Sequence, residues 1–142
     1  IASCLVGSEM CIRDRYKDFQ EATYLPMDVK CDSMDVRGDS HAKNGRKIPV
    51  VSTSAAKKTD GTIVVSLANV SLDKAQEIEF ALDGVQAKTV AGKILTCKKV
   101  SDFNDFEHPE VVKPTTFKDA KLKKNALKVK IPAKSIVVLK IK

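Results

Sequence analysis

The residues able to carry chemistry are few. Asp102, Asp105, Glu107 and Glu110 form the densest acidic cluster, with His108 among them. General acid–base catalysis needs two carboxylates in different surroundings, so that one holds its proton while the other is ionised. Four carboxylates in one polar stretch beside Pro109 are expected to be solvated alike. His41 sits in the run Ser40-His41-Ala42-Lys43-Asn44, with no second histidine at helical or hairpin spacing. It predicts no metal site. Arg37-Gly38-Asp39 matches a cell-adhesion tripeptide, but three residues recur by chance. Asn69-Val70-Ser71 is an N-glycosylation sequon, which would matter only in a eukaryotic secretory compartment. The chain has no G-x-S-x-G, no phosphate-binding loop and no G-x-G-x-x-G. The residues by themselves therefore predict no catalytic, cofactor-binding or metal-binding site, and no cofactor.

The elements around these residues read as short strands. Stretches 48–56 and 62–69 are apolar and β-branched, and Asp60-Gly61 between them is a favoured two-residue hairpin turn. Stretch 62–69 is apolar on both faces, which predicts a central strand. In 76–82, Ile78, Phe80 and Leu82 alternate with Glu77 and Glu79. Asp83-Gly84 is a second turn signal. Stretch 87–96 reads as a strand with a bulge or bend at Gly92. Residues 32–47 and 99–115 read as loops, the first exposed and the second long and structured. Stretch 117–122, then Ala126–Ile131 and Ser135–Ile141, complete the set. At least six strands with turn residues between them, and no long amphipathic helix, predict an all-β fold, an antiparallel β-sandwich.

The chain has 142 residues, too few for a (β/α)₈ barrel. No apolar run is long enough to span a membrane as a helix. The formal net charge is +7, and residues 113–142 carry ten lysines against one acid, Asp119. Lys128, Lys130, Lys140 and Lys142 alternate with apolar residues, so a solvated strand face is expected. Lysine on exposed strands also blocks edge-to-edge pairing. The absence of arginine there, and of any aromatic but Phe117, argues against a nucleic-acid partner.

The first fifteen residues stand apart. Residues 5–14 resemble one reading frame of a transposon-end oligonucleotide used in sequencing libraries, and Arg15 fits its trailing bases. On that resemblance, residues 1–15 are expected to be foreign to the protein, with its natural N-terminus missing and its compartment left open. Four cysteines then reduce to Cys31 and Cys97, expected as half-buried free thiols.

From Tyr16 onward the sequence resembles the C-terminal domain of family 51 glycoside hydrolases, the α-L-arabinofuranosidases. Tyr16-Lys17 and Gln20-Glu21-Ala22-Thr23-Tyr24-Leu25-Pro26 look like the family's exit from its last barrel helix. Ile48-Pro49-Val50-Val51-Ser52 and Lys58-Thr59-Asp60-Gly61-Thr62-Ile63 resemble its first hairpin. Ser66-Leu67-Ala68-Asn69-Val70, Lys74-Ala75-Gln76-Glu77, Gly92-Lys93-Ile94-Leu95-Thr96 and Asp102-Phe103-Asn104-Asp105-Phe106 follow in the family's order. Val111-Val112-Lys113-Pro114 and the run from Pro132 to Leu139 close it.

The resemblance implies residues 16–23 as the end of a barrel helix and 24–142 as a jelly-roll-like sandwich packed on a catalytic (β/α)₈ barrel. It implies a parent that releases terminal α-L-arabinofuranosyl residues from arabinan or arabinoxylan, and that forms homo-oligomers. The parent would work with retention, through two glutamates ~5–5.5 Å apart at barrel strand ends. No glutamate here matches those motifs, so this chain is expected to be inactive alone. Tyr16, Phe19 and Tyr24 are the expected barrel-facing patch. A stand-alone carbohydrate-binding sandwich is the alternative, weakened by two tyrosines and no tryptophan.

Overall fold

The computed structural model describes residues 13, 16–36, 46–82, 84–85, 87–123 and 126–142. After a single 3-10 turn, Lys17–Phe19, the described residues form eleven strands. They are β1 (Thr23–Leu25), β2 (Ser33–Val36), β3 (Arg46–Pro49), β4 (Val51–Lys57), β5 (Ile63–Asn69) and β6 (Gln76–Ala81), followed by β7 (Val90–Thr96), β8 (Thr115–Phe117), β9 (Ala120–Lys123), β10 (Ala126–Ile131) and β11 (Ser135–Ile141). Every strand pair is antiparallel. A six-stranded sheet runs β1-β4-β5-β11-β7-β8 and a three-stranded sheet runs β6-β10-β9, with β2 and β3 a separate pair. The fold is the expected all-β sandwich.

Alternation builds the core. In β10, Leu127, Val129 and Ile131 are buried while Lys128 and Lys130 are exposed. Those three residues and Ile78 meet Val65, Leu67, Val137, Leu139 and Ile141 of the larger sheet in one apolar cluster. Such a face is what two sheets need to stay packed, at about 1.5–3 kcal/mol for each large side chain fully buried. β5 is buried on both faces between β4 and β11, as its sequence predicts.

Four expectations are corrected. Stretch 48–56 is not one strand: it breaks at Val50 into β3 and β4, which belong to different sheets. Pro49 offers no N–H, and Val50 turns both its backbone groups outside the ladder, donating to Asp32 O and accepting from Val70 N–H. Stretch 117–122 likewise divides, because β8 ends in the larger sheet at Phe117 and β9 begins in the smaller one at Ala120. The 32–47 stretch is not all loop, since β2 and the first residues of β3 lie in it. Gly92 makes no bulge. The register passes unbroken through Leu139↔Gly92 and Gly92↔Phe117. A Cβ there would lie 2.8 Å from Leu139 Cδ2 and 3.1 Å from two carbons of Phe117. Close approach of side chains, not a kink, requires the glycine.

The Asp60-Gly61 turn falls where expected but belongs to a longer connection, residues 58–62 between β4 and β5. Lys58 N–H donates to Thr62 O, Asp60 Oδ1 accepts from Thr62 N–H, and Gly61 takes φ +84°. The strand expected over 87–96 begins only at Val90. Asp83, of the second turn signal, lies outside the described residues.

Candidate functional site

Each acid of the 102–110 cluster except Glu107 is held by local structure. Asp102 Oδ2 accepts from the backbone N–H of Lys98 at 3.0 Å and of Lys99 at 2.8 Å. Asp105 Oδ1 accepts from His108 N–H and lies 3.2 Å from His108 Nδ1. Glu110 pairs with Lys113 at 2.9 Å; that hydrogen bond and charge hold its carboxyl below the usual glutamate range. Glu107 is exposed. Asp102, Asp105 and Glu110 thus fold or brace the loop, each through its own local partner. Among the described residues no three His, Cys, Asp or Glu side chains converge on a metal-sized site. His41 and Arg37-Gly38-Asp39 lie outside the described residues.

The same loop is fastened at Asn104. This buried amide donates to Val112 O at 2.8 Å and accepts from Val112 N–H at 2.7 Å. Two hydrogen bonds to one backbone unit replace a strand pairing and satisfy groups that would be costly to bury unmet.

The sequon asparagine has a different use from the one its motif suggests. Asn69 is 3% exposed. Its Nδ2 donates to Lys74 O (2.9 Å), Pro132 O (2.9 Å) and Ile131 O (3.3 Å), and its Oδ1 accepts from Ser71 N–H (3.0 Å). It joins the end of β5 to the β5–β6 connection and to the β10–β11 turn. A local motif could not reveal this, because three of its four partners come from residues distant along the chain or beyond the tripeptide.

The lysine-rich strands form the solvated face expected of them. Lys128 lies 2.8 Å from Glu79 and Lys130 3.7 Å from Glu77, pairs that follow the β6–β10 register. The hydrogen bond that Lys128 donates to Glu79, with that carboxylate's charge, raises the Lys128 pKa. Cys31 and Cys97 are free thiols, both half-buried, as expected.

The outer face of the larger sheet is the other notable surface. Ala56, Val64, Ser66, Leu95 and Val138 on it are buried. The N-terminal turn is anchored there: Ser66 Oγ donates to Tyr16 Oη at 2.6 Å, and Tyr16 lies on Phe19 with ring centroids 5.4 Å apart. Asp18 bridges Lys140 at 2.8 Å and Lys58 at 3.3 Å. Burial pushes the Asp18 carboxyl up, but the hydrogen bonds and charges of Lys140 and Lys58 outweigh it and hold its pKa below 3.8. A depressed pKa stabilises the fold above the unfolded value and loses that contribution as pH falls through the folded value. Asp18→Asn is therefore expected to cost about 1 kcal/mol near neutral pH, both lysines being partly exposed. The difference from the unsubstituted chain should shrink once the pH falls below the ordinary aspartate value of about 3.9, and close only below the lower folded one. Urea unfolding of both proteins across pH 2–7 measures this, and a pH-independent difference would exclude the bridge as its source.

A scan of protein families matches residues 12–135 to the family described as the alpha-L-arabinofuranosidase C-terminal domain. The chain is 48% identical over 126 residues to an intracellular exo-alpha-L-arabinofuranosidase of Bacteroides ovatus, covering 89% of this chain and 23% of that protein. Its fold matches the crystal structure of the GH51 arabinofuranosidase from Xanthomonas axonopodis pv. citri with a TM-score of 0.81 at 28% identity, over 94% of this chain and 26% of that one. The thermostable GH51 enzyme of Thermotoga petrophila RKU-1 shares the fold, with a TM-score of 0.71 at 17% identity, over 87% of this chain and 27% of that one. The chain thus spans about a quarter of the length of these relatives, which are longer enzymes holding further domains. The family match covers most of the sequence and agrees with the sandwich: the chain belongs to the C-terminal domain family of the GH51 α-L-arabinofuranosidases.

Proposed function

We propose that this chain is an accessory β-sandwich that packs on the catalytic (β/α)₈ barrel of an α-L-arabinofuranosidase. Residues 16–23 would leave the last barrel helix and 24–142 would form the packed domain. The parent would hydrolyse terminal α-L-arabinofuranosyl residues of arabinan or arabinoxylan with retention, releasing L-arabinose. The observation that carries this reading is the family match over residues 12–135 in a chain covering 23% of its Bacteroides ovatus relative. By the family resemblance its two glutamates would stand at barrel strand ends, and none of Glu21, Glu77, Glu79, Glu107 and Glu110 matches their motifs.

Purified residues 16–142 are expected to release no arabinose from an aryl α-L-arabinofuranoside or from arabino-oligosaccharides. Turnover that co-purifies with the folded domain would overturn the accessory role. A stand-alone sugar-binding module is the second reading, supported by exposed rings at Tyr24 and Phe106. Tyr24 lies beside Ala56 on edge strand β1, whereas the loop of Phe106 leaves β7 at Thr96, the opposite end of the sheet and near its other edge. Such separated rings do not make one platform. Chemical shifts of either ring that move with millimolar arabino-oligosaccharide would favour the module.

A further inference from the structure

The loop between β7 and β8 is fastened through Asn104 and Val112 and presents four other apolar residues to water. Asn104 and Val112 point inward and are joined by two hydrogen bonds, and Asp102 caps the backbone of Lys98 and Lys99. Outward stand Val100, Phe103, Val111 and Phe106, the last 97% exposed. A phenyl ring left in water forgoes about 1.5–3 kcal/mol of burial, and nothing within the sandwich recovers it. Beside the loop runs an open groove of about 310 Å³ whose walls include Val70, Leu95 and Ile136. A fixed loop with an outward aromatic next to an apolar groove is the form of a contact anchor, because its ordering entropy is already spent before the partner arrives.

The Tyr16 and Phe19 rings are less suited to that role. Both are half-buried, and Tyr16 is already hydrogen-bonded to Ser66. We infer that the 97–114 loop, with Phe106 as its anchor, is where the sandwich docks on the catalytic portion of its own polypeptide. This rests on the accessory-domain reading above. The occupant follows from length: this chain covers 23% of its Bacteroides ovatus relative, so the partner surface belongs to the remaining three quarters.

The test exchanges residues 16–142 for the matching segment of the Bacteroides ovatus enzyme and compares the chimera with its Phe106→Asp and Phe106→Leu forms. Phe106 has no packing to lose within the domain, so the isolated 16–142 fragment should unfold at the same temperature with either substitution. In the chimera, Phe106→Asp is expected to lose arabinofuranosidase activity on heating about tenfold faster, and Phe106→Leu to keep most of the parent's resistance. An active chimera indifferent to Phe106→Asp would overturn the loop assignment and leave the accessory role standing. An inactive chimera would remove the accessory reading and the docking inference with it.

Discussion

Asn69→Ala is expected to destabilise the domain by about 3–4 kcal/mol, lowering its melting temperature by about 10 °C. The amide has two N–H hydrogens and faces three carbonyl oxygens, those of Lys74, Ile131 and Pro132, so one hydrogen is shared. Alanine leaves all three oxygens and the Ser71 N–H without this partner, in a position 3% exposed. Each buried group left unmet costs about 1–3 kcal/mol, and water entering the vacated volume recovers part of the total. Asn69→Asp separates hydrogen bonding from shape. The carboxylate keeps the volume but turns acceptors toward the three carbonyls, so it should be at least as harmful as alanine at pH 7. It should recover partly in acid, where protonation restores one donor. Urea unfolding at pH 7 and pH 4 measures both variants. A loss below about 1 kcal/mol for Asn69→Ala would mean the network does not hold the strand ends together.

The same residue shows where the sequence is legible and where it is not. Alternation in β6 and β10 gives their buried faces because a strand's two faces are a local property, with period two. The uniform apolar character of β5 gives its central place for the same reason. What the sequence hides is decided by partners distant along the chain. Asn69 looks like a surface sequon because only its neighbours Val70 and Ser71 are visible; its role comes from Ile131 and Pro132, more than sixty residues away. The breaks at Val50 and after Phe117 are changes of sheet, and no local period records which sheet a strand joins. The acidic cluster folds its loop as ordinary polar residues do, and no local period tells which of the apolar residues threaded through it face outward. Phe103 and Phe106 resemble ordinary core residues until the fold leaves them outside. Of Tyr16, Phe19 and Tyr24, expected as an exposed docking patch, Tyr24 is exposed while Tyr16 and Phe19 are half-buried on the larger sheet.

Gly92 is another misreading, and its explanation predicts a coupled pair of mutations. Leu139 is fully buried at the centre of β11, directly opposite Gly92, with Phe117 beyond it. Leu139→Ala should cost about 3–4 kcal/mol, from lost transfer energy and the cavity left behind. Gly92→Ala puts a methyl 2.8 Å from Leu139 Cδ2 and 3.1 Å from Phe117 Cβ and Cδ1. Relieving that overlap should cost about 1–3 kcal/mol, partly offset by the roughly 0.4–1 kcal/mol gained when an alanine replaces a glycine in the unfolded chain. In the double variant the Leu139 methyls are gone, and the methyl added at position 92 occupies space that the other substitution vacated. Its loss should fall short of the sum of the single losses by about 1 kcal/mol, since residues in contact do not act independently. The Phe117 ring still faces the new methyl, so recovery should stop short of complete. Additive losses, with equal denaturant slopes for all four proteins, would show that Leu139 does not set the limit at Gly92, and would return the glycine to a backbone role.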